Sequence, residues 1–76
     1  MARRIVIEIT ETFRRSYRQL PQHIQAKVQK QIRFLSQNPN HRSLQIHRLN
    51  DEWEFYIDIH YRCFFHRQGT VYRDPF

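Results

Sequence analysis

The densest alternation of apolar and polar positions lies between Trp53 and Phe65. Every second position of its first half is apolar: Trp53, Phe55, Ile57 and Ile59. The positions between them are Glu54, Tyr56 and Asp58. The second half divides in the same way, into Tyr61, Cys63 and Phe65 on one side and Arg62, Phe64 and His66 on the other. A period of two is typical of half-buried strands, so this stretch predicts a β-hairpin that turns near residues 58–60. One face is expected to be apolar, and the other carries ionisable side chains.

The N-terminal half predicts a strand followed by two helices. Alternating isoleucines in residues 3–10 are typical of a β-strand. A first helix is predicted to end at Pro21, with an apolar stripe at Phe13, Tyr17 and Leu20. A second helix, over about residues 21–37, has a longer stripe made of Ile24, Val28, Ile32 and Leu35. The two stripes can cover the apolar face of the hairpin.

Two further strands are predicted around the hairpin. The first has alternating positions at Leu44, Gln45, Ile46 and His47. The dipeptide Gln68-Gly69 predicts a two-residue turn into a last strand that starts at Val71. The resulting order, β-α-α-β-β-β(-β), predicts an α+β fold, with a helical hairpin on one face of a small, largely antiparallel sheet. We expect a single domain over residues 1–76.

The composition indicates an anionic partner. The chain of 76 residues has a net charge of +6 and a pI of about 10.3, which suits a phosphate backbone or an acidic protein. Its one cysteine excludes an internal disulfide and fits a reducing cytoplasm. No apolar run approaches the ~20 residues of a membrane span, and Glu8 interrupts the short apolar start, unlike a signal peptide. A cytoplasmic protein without membrane contact is therefore expected.

Three stretches resemble the RelE/ParE superfamily of bacterial toxin–antitoxin toxins. They are TETFRRSYRQLP (residues 10–21), FLSQNPNHRSLQIHRL (residues 34–49) and WEFYIDIHYRCFF (residues 53–65). The most specific parts are the NPxHxSLQ-like segment before the second strand and the Tyr61-Arg62 pair. Together with the order of elements, the resemblance covers most of the chain, roughly residues 5 to 73.

The resemblance implies a small toxin that a cognate antitoxin protein neutralises by wrapping its surface. Many members cleave mRNA in the ribosomal A site without a metal or other cofactor, whereas the ParE-like branch inhibits DNA gyrase. Both branches can carry the Tyr-Arg pair. Many relatives continue beyond the last strand into a glycine and a His-Asp or His-Tyr element, whereas this sequence ends at Phe76. A ribosome-dependent mRNA endoribonuclease is therefore expected, with a ParE-like gyrase inhibitor or a catalytically degenerate antitoxin-binding protein as the alternative.

Metal-free RNA cleavage needs a base for the 2′-hydroxyl, positive charge at the phosphate, and an acid for the leaving 5′-oxygen. The resemblance assigns phosphate binding to Arg62, whose planar guanidinium suits that role. The alternative is a structural ion pair of Arg62 with Glu54 or Asp58. His66 shares a strand face with Arg62, and histidine suits proton transfer near neutral pH. The remaining candidates for the base, the acid or closure of the site are His47, Glu54, Asp58 and Tyr72.

Other basic side chains predict an RNA-binding surface. With Arg62, this surface comprises Arg48, Arg73, Lys27, Lys30 and Arg33. A solvated face is the alternative for the helical lysines and arginines. No metal site is predicted, because the histidines lack a metal-binding spacing such as H-x-x-x-H. Cys63 lies on the apolar side of its strand, where thiols are unreactive.

Overall fold

The computed structural model describes residues 5–74, which form a five-stranded sheet with two helices packed against one face. The helices are α1 (Glu11–Arg18) and α2 (Gln22–Gln37), followed by a 3₁₀ turn (Arg42–Leu44). The strands are β1 (Val6–Ile9), β2 (His47–Leu49), β3 (Glu52–Asp58), β4 (Tyr61–Gln68) and β5 (Val71–Asp74). The predicted α+β class is confirmed. In this part of the chain, no helix has the length and apolar character needed to cross a membrane.

The sheet is mixed, with strand order β1-β5-β4-β3-β2. The neighbouring pairs among β2, β3, β4 and β5 are antiparallel, so most of the sheet has the predicted direction. Strand β1 is the exception, because it pairs in parallel with β5, with Val6 opposite Val71. The first and last strands of the fold are therefore neighbours, and β1 and β2 form the two edges.

Local signals set the ends of both helices. The Thr10 hydroxyl accepts a hydrogen bond from the Phe13 backbone N–H at 3.1 Å, which satisfies a donor in the first turn of α1. Pro21 separates the helices, as the sequence predicts. Helix α2 ends at Gln37, because Asn38 has an extended conformation (φ −154°, ψ 95°).

The helices and the sheet share one core. Its buried apolar members are Phe13, Ile24, Val28, Leu35, Leu44, Phe55, Ile57, Cys63, Phe65 and Tyr72. Phe65 is central, since its ring contacts Phe55 at 5.8 Å, Tyr72 at 5.2 Å and Trp53 at 6.3 Å between centroids. Burying one large apolar side chain of this kind contributes about 1.5–3 kcal/mol.

Two boundaries differ from the prediction. Leu44 belongs to the 3₁₀ turn instead of a strand, and β2 begins only at His47, because Gln45 has a left-handed conformation (φ 44°) that interrupts extended backbone. The last turn is Gly69-Thr70 instead of Gln68-Gly69, since Gln68 pairs with Val71 across the ladder. Gly69 has φ 60°, which explains glycine at the first position of this turn.

The predicted hairpin forms, but its alternation fails near the turn. Ile59 lies in the turn and is 80% exposed, so it is not part of the apolar face. The register shifts between Tyr56 and Asp58, which leaves Ile57 as an extra residue on β3. As a result, Asp58 lies opposite Tyr61 and bonds to helix α2, away from the other polar side chains of its strand.

Candidate functional site

The sheet surface turned away from the helices, called the open face below, gathers several of the predicted catalytic residues. Its ionisable members include Glu8, His47, Glu54, Arg62, His66 and Arg73. Partners in adjacent strands share a face, so the register alone places these groups on one surface of the sheet. His47 of β2 lies opposite Glu54 of β3, and His66 of β4 lies opposite Arg73 of β5.

Glu54 and Arg62 form the centre of the open face. The guanidinium Nη1 of Arg62 lies 3.3 Å from Oε1 of Glu54. The carboxylate side chain is only 12% exposed, and the guanidinium side chain is 44% exposed. The ion pair that was the alternative assignment for Arg62 is thus present, with Glu54 as partner. Because Arg62 remains accessible, a phosphate could approach the same guanidinium.

The two histidines lie on either side of β3. His47 is on edge strand β2, His66 is on β4, and both are exposed. Imidazole can both donate and accept a proton, so the open face holds candidate groups for acid and base on the same surface as the Arg62 guanidinium. Arg73 adds a second guanidinium next to His66, and its Nε lies 3.4 Å from the Glu8 carboxylate.

Asp58 is outside this group. It forms an ion pair and hydrogen bond with Lys27 of helix α2. The hydrogen bond from Lys27 holds the pKa of Asp58 below its ordinary value, and the same bond raises the pKa of Lys27. The prediction that placed Asp58 beside Glu54 is wrong, since the β-bulge redirects it. Lys27 is likewise engaged by a carboxylate of the protein itself.

Tyr72 and Arg48 also lie on the helix side of the sheet. Tyr72 is 2% exposed and stacks on Phe65. The prediction that Tyr72 closes a site on the open face is therefore wrong. Arg48 pairs with Trp53 in the ladder and places its guanidinium 5.7 Å from that ring. The other two predicted RNA contacts, Lys30 and Arg33, are exposed on α2.

A second group of residues was not predicted as a site from the sequence, which named Arg48 as an RNA contact and Tyr72 as a catalytic candidate but not Arg67. We call it the tryptophan cleft, and its walls include Pro39, Arg42, Arg48, Trp53, Arg67 and Tyr72. It lies on the helix side of the sheet, beyond the C-terminal end of α2. Arg67 has the same strand parity as Phe65, so it lies on the apolar side of β4, where an arginine is unusual. This unusual position was the sequence signal that could have identified Arg67.

Comparison with known proteins identified no relative. No protein-family model matches the chain, and neither a curated protein nor a solved structure matches it. Within residues 5–74, no three histidine, cysteine, aspartate or glutamate side chains gather closely enough to hold a metal ion.

Proposed function

We propose that this protein is a RelE-like toxin that cleaves mRNA on the ribosome at the open face, without a metal. The observation that carries the proposal is one accessible guanidinium, Arg62, on a face that also holds a carboxylate and two imidazoles. The order of strands and helices agrees with the fold that the resemblance implies.

The proposed chemistry assigns one step of the reaction to each of these groups. The scissile phosphate binds to Arg62, whose positive charge stabilises the extra negative charge that forms at phosphorus. Either Glu54 or His47, which lies opposite it, acts as the base and removes the proton of the 2′-hydroxyl. The 2′-oxygen then attacks phosphorus. His66 protonates the leaving 5′-oxygen. The products are a 2′,3′-cyclic phosphate and a 5′-hydroxyl.

The test uses purified protein with mRNA-programmed ribosomes and determines the chemistry of the new RNA ends. Cyclic phosphate ends are expected, and His66→Ala should slow cleavage by about 10²–10⁴-fold, the usual contribution of a positioned acid or base. His23→Ala, which removes an exposed imidazole from α2, is the matched control and should cleave normally. Equal rates for both variants would remove His66 from the mechanism.

The Glu54–Arg62 ion pair favours a second candidate, because it occupies the guanidinium with a carboxylate of the protein itself. In that case the protein is a ParE-like gyrase inhibitor or a degenerate antitoxin-binding protein. Inhibition of supercoiling by purified gyrase, without RNA cleavage, would identify the gyrase inhibitor. Absence of both activities would leave the antitoxin-binding role.

An antitoxin partner is part of the proposal. Both edge strands expose apolar side chains, with Val6 48%, Ile9 40% and Leu49 51% exposed. An edge with free backbone groups can accept a strand from another chain, and apolar side chains there add affinity. Co-purification with the product of an adjacent reading frame would test this partner. Failure to bind it would count against the toxin–antitoxin assignment.

A further inference from the structure

The tryptophan cleft differs from the open face in how its charges are balanced. On the open face, Arg62 and Arg73 each have a carboxylate partner. In the cleft, Arg42, Arg48 and Arg67 have no ion pair with any residue in the range 5–74, and no carboxylate from that range lines either of its cavities. Three cations that face a concave surface without counter-charge form an attractive site for an anion.

Arg67 is held in position by two aromatic rings. Its guanidinium carbon lies 5.5 Å from the centroid of Trp53 and 5.1 Å from that of Tyr72. Arg48 approaches the Trp53 ring from its own strand and donates its Nε–H to the Asn50 carbonyl at 3.2 Å. These contacts restrict the two side chains before any ligand arrives. A pre-ordered guanidinium loses less entropy when it binds, which favours a bound anion.

The size of the cleft suits nucleotides. Two cavities of about 380 and 620 Å³ share Pro39, Trp53, Arg67 and Tyr72, so they adjoin along one wall. Small-molecule sites typically enclose about 300–1,000 Å³, so each cavity can hold a nucleotide-sized group.

The cleft also offers planar surfaces. Trp53 is half-buried, and its neighbouring guanidiniums provide flat faces on which a base can stack. Phosphate oxygens match the fork of an arginine, and bases match aromatic rings and guanidinium planes. An acidic peptide would use the charges but not these planar surfaces. The combination therefore favours nucleic acid over an acidic protein segment.

We propose that the tryptophan cleft binds single-stranded RNA, with phosphates on Arg48 and Arg67 and a base stacked beside Trp53. The cleft lies on the opposite side of the sheet from the open face. It is therefore a binding site in addition to the proposed cleavage site, and it does not depend on cleavage.

Trp53 makes the proposal directly testable, because it is the chain's only tryptophan and reports on the cleft. Single-stranded oligouridylate of about ten nucleotides is titrated into the full chain while tryptophan fluorescence is recorded. The double variant Arg48→Gln/Arg67→Gln should bind about tenfold or more weakly. It should also reduce the log–log salt slope by about one to two, since each phosphate contact contributes ~0.7. Circular dichroism establishes that the variant is folded.

The matched control is Arg14→Gln/Arg15→Gln, which removes the same charge from exposed helical positions. It should bind within about twofold of the wild type. Equal weakening by both double variants, or binding without a change in Trp53 fluorescence, would overturn the proposal. So would a flat salt dependence of the wild-type protein. If polyglutamate displaces the oligonucleotide at equal charge concentration, the cleft instead binds an acidic protein segment.

Arg62→Ala separates the two sites. Oligonucleotide binding at Trp53 should survive this substitution even if RNA cleavage is lost. Loss of binding in Arg62→Ala, with binding intact in the cleft variant, would place the RNA on the open face and overturn this inference while leaving the proposed function standing.

Discussion

Glu54 is a buried carboxylate whose ion-pair partner is half-exposed. Only 12% of its side chain is accessible, and Arg62 lies 3.3 Å away. Removal of one member of a buried pair leaves the other charge uncompensated, which costs more than the pair contributes. Arg62 thus has a structural role in addition to its proposed catalytic role, and experiments must separate the two.

A double-mutant cycle makes that separation. Arg62→Leu should lower the free energy of unfolding by about 1–2 kcal/mol, between the values typical of exposed and buried pairs. In a Glu54→Gln background the same change should cost clearly less, because no carboxylate is left unpaired. Urea denaturation of the four proteins measures the coupling. Identical costs in both backgrounds would show that the pair does not stabilise the fold.

Asp58 and Lys27 give the protein a pH-dependent contact. The pKa of Asp58 is lower in the folded protein than in the unfolded chain. The ion pair therefore contributes fully to the free energy of unfolding above the unfolded pKa of about 3.9, and this contribution is lost as the pH falls through the folded pKa. The raised pKa of Lys27 preserves the contact up to strongly alkaline pH. Asp58→Asn should therefore destabilise the protein at neutral pH and converge with wild type in acid. Denaturation at several pH values measures this, and a constant difference would contradict it.

Among the elements, helix α2 is connected to the segment before β2 by polar and apolar contacts. Gln31 is buried, and its Nε2 donates to the Ser43 carbonyl at 3.0 Å and the Tyr56 carbonyl at 2.7 Å. Leu44, beside them in the 3₁₀ turn, has no exposed surface. The short turn therefore contributes to the core although it has no regular strand structure.

Leu44→Ala should lower the free energy of unfolding by about 2–5 kcal/mol, the range for a large-to-small change at a buried position. Ile59→Ala is the control, because Ile59 is 80% exposed and its truncation should change stability by no more than about 0.5 kcal/mol. Thermal denaturation followed by circular dichroism compares them. Similar melting temperatures for both variants would refute the core position of Leu44.

Periodicity predicted the elements well where one pattern continued without interruption. Phe55 and Phe65 are buried as the alternation predicts, and Ile24, Val28 and Leu35 of the predicted α2 stripe are buried. The stripe differs at one point, because Ile32 is only partly buried and Gln31 is buried. The interpretation failed where local backbone departed from a repeating conformation, as at Gln45 with its left-handed φ and at the bulge beside Asp58. At Gln45 the backbone N–H closes the 3₁₀ turn on the Arg42 carbonyl at 3.3 Å, and at the bulge the register of β3 shifts against β4. A pattern of apolar and polar positions contains neither feature.

At the scale of the whole molecule, the two faces of the sheet carry different electrostatics. Cations of the open face have carboxylate partners, whereas the arginines of the tryptophan cleft have none within residues 5–74. Only the total net charge of +6 follows from the sequence, which does not show on which face of the sheet each charged side chain lies. The parallel pairing of β1 with β5 could not be predicted either, because the alternating isoleucines of β1 do not identify which strand lies next to it.

The most direct test of the proposed function is primer-extension mapping of cellular mRNA after induced expression. Wild type is compared with Arg62→Ala and with the control Arg14→Ala, each shown to be folded. We predict discrete cuts within coding regions for wild type and control, and their loss in Arg62→Ala. Growth arrest without cuts, or cuts that persist unchanged in Arg62→Ala, would contradict RNA cleavage at the open face.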